Sequence, residues 1–306
     1  MDRSSYFIKN RAMFGSFPTQ KAVNELEQEG VKFFINLTHD NERNITPYTT
    51  NYEYITFPIT DRRVPYDWRA FARFLIRVSD IILGLKHGEL VYVHCKGGHG
   101  RSGVVVACLL CHMFGMTPEQ SLEQTTKYHS KRSVMRDKWR KIGSPQTYKQ
   151  KNFVHKFFDP LNFYRACVTG YTTGISTFTA HPVEVDGIEF PTAEVAIQAF
   201  KNPTEQGYVR KQCNALTPVI SKNIGREIET SEEWIQNCDK ILFKILKCKF
   251  DQHPDIRENL MNTGLKPIVQ HTRGDSFLGD GGDGSGENRL GLALTRLREY
   301  YYRENL

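Results

Sequence analysis

The chain has 306 residues, 39% hydrophobic and 25% charged, with a formal net charge of +7. That length predicts two domains of ordinary globular composition. No apolar run approaches the ~20 residues of a membrane span, and the polar start MDRSSYFIKNR excludes a secretory signal. Seven cysteines at irregular spacing argue against a disulfide framework and for reduced thiols in an intracellular protein, cytoplasmic or nuclear.

In chain order, Val31–Leu37 and Tyr54–Ile59 read as strands rich in β-branched and aromatic residues. Trp68–Leu83 has apolar residues at helical spacing and stops at Gly84. Leu90–Val93 is a third strand. It runs into His94-Cys95-Lys96-Gly97-Gly98-His99-Gly100-Arg101-Ser102-Gly103, and Gly103–Met113 beyond it is apolar on nearly all sides, as a buried helix would be. Thr117 is a helix N-cap followed by Pro118. Between Lys127 and Lys156 ten basic residues face one acid, Asp137. This stretch reads as a solvated helical face, or as a field that draws anionic substrates, RNA or a membrane surface.

The loop 94–103 carries the chemistry. A thiolate is favoured beside positive charge and at a helix N-terminus, and the loop supplies both for Cys95. Gly97, Gly98 and Gly100 allow a tight curl whose N–H groups fit phosphate oxygens. Lys96 and His99 add basic groups at the same loop. Arg101 is expected to hold two phosphate oxygens in bidentate fashion. Ser102 can donate to the sulfur as it leaves, and His94 is expected to order the loop from behind through backbone hydrogen bonds. The leaving group needs a proton from a carboxyl upstream. Asp61, before Pro65, is the candidate, with Asp67 and Asp40 behind it. Gln150 would position water or stand on a solvated helix.

Residues 1–158 resemble the dual-specificity branch of the cysteine-dependent protein tyrosine phosphatases, from Met13–Pro18 through the Asp61 loop and His94–Gly103 to Thr147–Phe153. The resemblance implies an α/β domain with a central sheet flanked by helices, no metal or cofactor, and a two-step reaction through phosphocysteine. Its substrate would be a phosphorylated protein, a phosphoinositide, an RNA 5′-end or a ribose phosphate. Lys96 and His99 favour a strongly acidic one.

Charge balance and pattern change at Asp159-Pro160. Asp186-Gly187 reads as a tight hairpin turn. Glu194 opens a helix, with Gln198 and Lys201 at i+4 and i+7 on the same face. That face suits a polar pocket or solvent. Ser231-Glu-Glu-Trp234 is a capping sequence, and Leu292–Tyr301 a helix behind the glycine-rich 279–286. The glycine-rich stretch is either a flexible linker or a ligand loop ordered against that helix. Residues 159–306 form the second domain, and about 162–306 resemble the NADAR (YbiA-like) family, through Pro191–Glu194, Gln198, Lys201, Trp234, Thr263-Gly264, Asp275, Gly279, Asn288 and Gly291. The resemblance implies a mostly helical α+β domain acting on N-glycosidic bonds of ribose-phosphate or ADP-ribose compounds. Glu194 would be the acid/base, Lys201 a partner of the opened ribose, Asp275 a second polar group, and Trp234 a stacking surface for a base or sugar. Thr177, Val195 and Leu278 depart from the family pattern. They leave open a module that binds nucleotide or ADP-ribosylated partners without turnover.

Overall fold

The computed structural model describes residues 3–164 and 173–304, which divide into two compact units between Asp159 and Pro160. The first unit runs β1 (Ser4–Ile8), β2 (Ala12–Ser16), α1 (Gln20–Gln28), β3 (Val31–Asn36), β4 (Glu53–Thr56), α2 (Trp68–Gly84), β5 (Leu90–Cys95), α3 (Arg101–Phe114), α4 (Pro118–Ser130), α5 (Asp137–Ile142) and α6 (Tyr148–Phe157). Its sheet has the order β1-β2-β5-β3-β4. Only β1 is antiparallel to its neighbour. β5 is buried at every position, and α3 from Arg101 to Cys111. A strand flanked on both sides and covered on both faces favours apolar residues, and the polar ends of Tyr92 and His94 find hydrogen-bond partners at Ser16 O and the Tyr48 hydroxyl. The chain leaves β5 at the sheet's C-terminal edge between β2 and β3, where open α/β sheets present their ligand crevice. Thr117 caps α4 in a full capping box with Gln120.

The second unit runs β6 (Leu161–Phe163), β7 (Val183–Val185), β8 (Ile188–Phe190), α7 (Ala193–Ala199), α8 (Gln206–Cys213), α9 (Pro218–Ile224), α10 (Glu232–Gln252), α11 (Pro254–Met261), β9 (Ile268–Gln270) and α12 (Arg289–Glu304). Asp186 and Gly187 both take positive φ, at 54° and 77°, and join β7 to β8 as the sequence requires. α7 is buried at all seven positions. β6 and β9 form a parallel pair, which the sequence did not predict, because three-residue strands carry too little alternation to detect.

The glycine-rich stretch is an ordered loop. The Asp280 carboxylate accepts N–H bonds from Thr272 and Gly282 at 2.9 Å, and its carbonyl accepts from Gly284 and Gly286. Burial opposes the charge on Asp280, but the His271 bond and these N–H donors pull its pKa to about 2. Asn288 closes the loop against β9. Its Nδ2 donates to the Ile268 carbonyl and its Oδ1 accepts from the Gln270 N–H, both at 2.9 Å. Asn288→Ala leaves both backbone groups short of a partner. It is expected to cost about 1–3 kcal/mol, read as a lower denaturant midpoint for the second unit.

Candidate active sites

The loop between β5 and α3 is shaped from outside. Four of its carbonyls are drawn away from its centre: His94 O accepts from Leu37 N (2.9 Å), Lys96 O from Phe17 N (3.2 Å), Gly98 O from Arg132 Nη1 (2.7 Å) and His99 O from Ser144 Oγ (2.7 Å). Carbonyls pulled outward leave the N–H groups free to turn to the concave side, an arrangement that can receive an anion. Only Gly98 among the loop glycines has positive φ, at 73°. A Cβ there would lie 2.5 Å from Gly15 C. Gly97 and Gly100 are needed for space, because a Cβ would meet the His99 ring at 3.0 Å and the Gln150 amide at 2.8 Å.

Cys95 Sγ is buried, 3.5 Å from Ser102 Oγ. Arg101 is 1% exposed. Its Nη1 donates to Ile59 O (2.9 Å) and to Glu42, while Nη2 donates to the other Glu42 oxygen (3.0 Å) and pairs with Asp61 Oδ1 (3.1 Å). Burial opposes Arg101's charge, yet Glu42, Cys95 and Asp61 together raise its pKa. Glu42 in turn is held below the usual carboxylate range, since its Arg101 bonds outweigh the cost of burial. Nothing in His39–Arg43 marks Glu42 as the residue that holds the arginine. Asp67 caps α2 through Ala70 N (2.9 Å) and is committed there, whereas Asp61 reaches the arginine.

Several expected roles change. Lys96 Nζ donates to the Arg43 carbonyl (2.6 Å), so it ties the loop to its neighbour. His94 bonds the Tyr48 hydroxyl through Nε2 (2.7 Å) instead of backbone. His99 Nδ1 meets His129 Nε2 (2.8 Å), and its ring stacks on Trp139 at 4.7 Å. The Gln150 amide accepts from Thr147 N and donates to Arg63 O, both at 3.2 Å, which joins α6 to the Asp61 loop. The basic stretch is not uniformly a solvated face. Arg132 is 2% exposed, bonded to Gly98 O, Phe14 O and Ser5 Oγ. Burial lowers its pKa to about 10.

In the second unit Glu194 is 3% exposed, which excludes the solvated-face reading. Its carboxylate accepts from Thr177 Oγ1 (2.7 Å) and Gln198 Nε2 (2.8 Å). Thr177, which departs from the family pattern, therefore holds the Glu194 carboxylate. Lys201 lies in the turn just beyond α7. Burial lowers its pKa, with Glu194 and Asp275 opposing and Lys222 and Arg226 adding. Asp275 pairs with Lys222 (3.1 Å) and accepts from the Leu278 and Phe277 N–H groups. Lys222 and Arg226, with Tyr164, Phe178 and Gln270, line an adjoining cleft of about 180 Å³. Trp234 is 3% exposed and offers no face for stacking. Gly279 is a packing glycine, since a Cβ there would meet Thr272 Cγ2 at 2.6 Å. Lys249, fully buried, gathers Gly174 O (2.7 Å), Ser176 O (2.6 Å) and Thr179 Oγ1 (3.0 Å), and so sets the loop that carries Thr177. Burial brings its pKa down to about 7.

Among the described residues no cluster of three or more metal-ligating side chains occurs, and no helix is long and apolar enough to cross a membrane. All six described cysteines are free thiols.

Comparison with known proteins divides the chain in the same way. Residues 1–154 match the model of the Swiss Army Knife protein DSP-PTPase phosphatase domain, and residues 162–301 match the NADAR domain. "Putative tyrosine phosphatase 197R" of Invertebrate iridescent virus 6 is 31% identical over 95% of this chain and 89% of its own length. "Putative tyrosine phosphatase 067L" of Invertebrate iridescent virus 3 is 38% identical over 52% of this chain and 66% of its own. "N-glycosidase YbiA" of Escherichia coli (strain K12) is 36% identical over 40% of this chain and 78% of its own.

Burial holds three rings of the first unit neutral: His94 with a pKa of about 3, His99 about 4 and His129 about 3. In the unfolded chain each takes a proton near pH ~6.5. Their contribution is therefore fully present above that pH and is lost as pH falls from ~6.5 toward 4, because the unfolded state binds more protons. The thermal midpoint is expected to drop between about pH 6.5 and 5, above the carboxylate range. His129→Gln should flatten that slope.

Proposed function

From the premise that this chain belongs to the dual-specificity-type phosphatase family, as a phosphatase hydrolase with a NADAR domain behind it, we propose that residues 1–158 hydrolyse phosphomonoesters through Cys95. The observation that carries this reading is the buried Cys95 sulfur beside Ser102, in a loop whose carbonyls are pinned outward and whose arginine meets Asp61. The substrate phosphate enters the concave N–H face and replaces Asp61 at Arg101 Nη2, while Glu42 keeps the guanidinium in place. The Cys95 thiolate attacks phosphorus, and the ester P–O bond breaks. Asp61 gives its proton to the departing oxygen. In the second step water attacks the phosphocysteine, Asp61 takes back a proton, and Sγ leaves as a thiolate stabilised by Ser102. His94 holds the loop through Tyr48. Lys96, Gly97, Gly98, His99 and Gly100 shape it around the anion.

For residues 159–306 the reading is cleavage of an N-glycosidic bond to ribose. The Lys222–Arg226 cleft would receive a phosphate, and Tyr164 and Phe178 would flank the base. Glu194 would act as acid/base beside Lys201 and Asp275. The full burial of Glu194, with both oxygens bonded, favours a second reading in which this domain binds nucleotide or ADP-ribosylated partners without turnover.

Cys95→Ser is expected to abolish hydrolysis of p-nitrophenyl phosphate while retaining substrate binding. Asp61→Asn should lower kcat by about 10²–10⁴-fold, with its smallest effect on substrates whose leaving group needs no proton. Full activity in Cys95→Ser would remove the mechanism. In the Cys95→Ser chain, release of free base from ADP-ribosyl or ribose-phosphate substrates should persist and vanish on adding Glu194→Gln. Nucleotide binding by calorimetry with no base release would establish the binding reading instead.

A further inference from the structure

Beside the cysteine loop lies a cleft of about 230 Å³. Arg3, Arg132, Arg136 and Lys96 line it, with His99 and Trp139 beside them and no carboxylate among its described lining residues. It shares Lys96, Gly97 and His99 with the loop and so borders the candidate phosphate site. Arg132 is buried and fixed behind Gly98, while Lys96 donates to Arg43 O. Arg136 immediately precedes α5 and lines the cleft.

The tautomer of His99 follows from its partner. His129 Nδ1 is buried with no hydrogen-bond partner among the described residues. An orphaned buried N–H is rarer and costlier than an orphaned lone pair, so the His129 proton sits on Nε2 and is donated to His99 Nδ1. A neutral His99 then carries its own proton on Nε2. Its Cδ2–Nε2 edge lies against Gly97, at the mouth of the loop. The cleft thus holds a fixed N–H donor among cations, which suits a phosphate oxygen.

We propose that this cleft is a second-anion subsite, and that the phosphatase takes substrates carrying a second phosphoryl group beside the one it removes. The second group accepts from His99 Nε2–H and lies between Arg136 and Arg3. This rests on the cysteine mechanism above and narrows its substrate class. The second phosphoryl can come from a phosphoanhydride chain or from a polyol bisphosphate.

The test compares kcat/KM of the full chain for p-nitrophenyl phosphate, a nucleoside triphosphate and a soluble inositol bisphosphate. One of the doubly charged substrates should be preferred, and which one identifies the source. Arg136→Glu should lower the ratio of doubly to singly phosphorylated kcat/KM about tenfold. The same charge change at Lys86→Glu, at the other end of β5, should leave that ratio alone. No preference for either substrate, or an equal fall in both variants, overturns the subsite. A separate arm measures binding to the Cys95→Ser chain by calorimetry, so that failure of turnover is distinguishable from failure of the subsite. Inorganic diphosphate should bind more tightly than monophosphate, and Arg136→Glu should erase the difference. Equal affinities for the two anions contradict the proposal.

Discussion

A buried cation that gathers backbone carbonyls shapes the working loop in each unit. Arg132 takes Gly98 O and Phe14 O, and Lys249 takes Gly174 O and Ser176 O. Carbonyls ordinarily compete with ligand anions for the same region of space. Drawing them toward a fixed cation turns the backbone N–H groups the other way and leaves the loop's inner face electropositive. The arrangement is also rigid, because a buried cation that loses one of these acceptors pays a desolvation cost with nothing to offset it.

The catalytic geometry follows from this rigidity. With the loop fixed by Leu37, Phe17, Arg132 and Ser144, Cys95 ends β5 at one position and Arg101 begins α3 at another. Glu42 grips the arginine from a separate loop, and Gln150 ties α6 to the Asp61 segment. Asp61 is the exposed member of the set, its side chain 59% accessible and joined to the rest through Arg101. That exposure suits the acid role proposed for Asp61, since a proton donor to varied leaving groups needs freedom to move. In the second unit the chain of support runs from Lys249 through Ser176 to Thr177, and from Thr177 to Glu194.

Much of this was legible in the sequence, for identifiable reasons. β5 and α3 are mainly apolar, Thr117 is a capping residue at a helix start, and Asp186-Gly187 permits the required positive φ. The loop 94–103 stood out as the candidate site by residue type and spacing. What stayed hidden was polar burial. Ser121, Thr125, His129 and Arg132 form a buried stripe at helical spacing, but without apolar side chains it leaves no periodic hydrophobic signal. Lys249 did leave one, since it falls on the buried face made by Leu242, Ile245, Leu246 and Phe250. Glu42 left none, because an acid in a short polar loop looks the same whether it grips an arginine or faces water. β1 and β2 escaped notice because each is five residues long and β1 alternates only between buried and half-buried positions.

The central claim is that the phosphoryl group passes through the Cys95 sulfur. It is tested most directly by acid-quenching the full chain during turnover of p-nitrophenyl phosphate and locating phosphate on the digested protein by mass spectrometry. The account predicts phosphate on the peptide bearing Cys95, accumulating within the first turnover and absent from Cys95→Ser. Turnover with no phosphorylated peptide, or phosphate carried by any other residue, would contradict it.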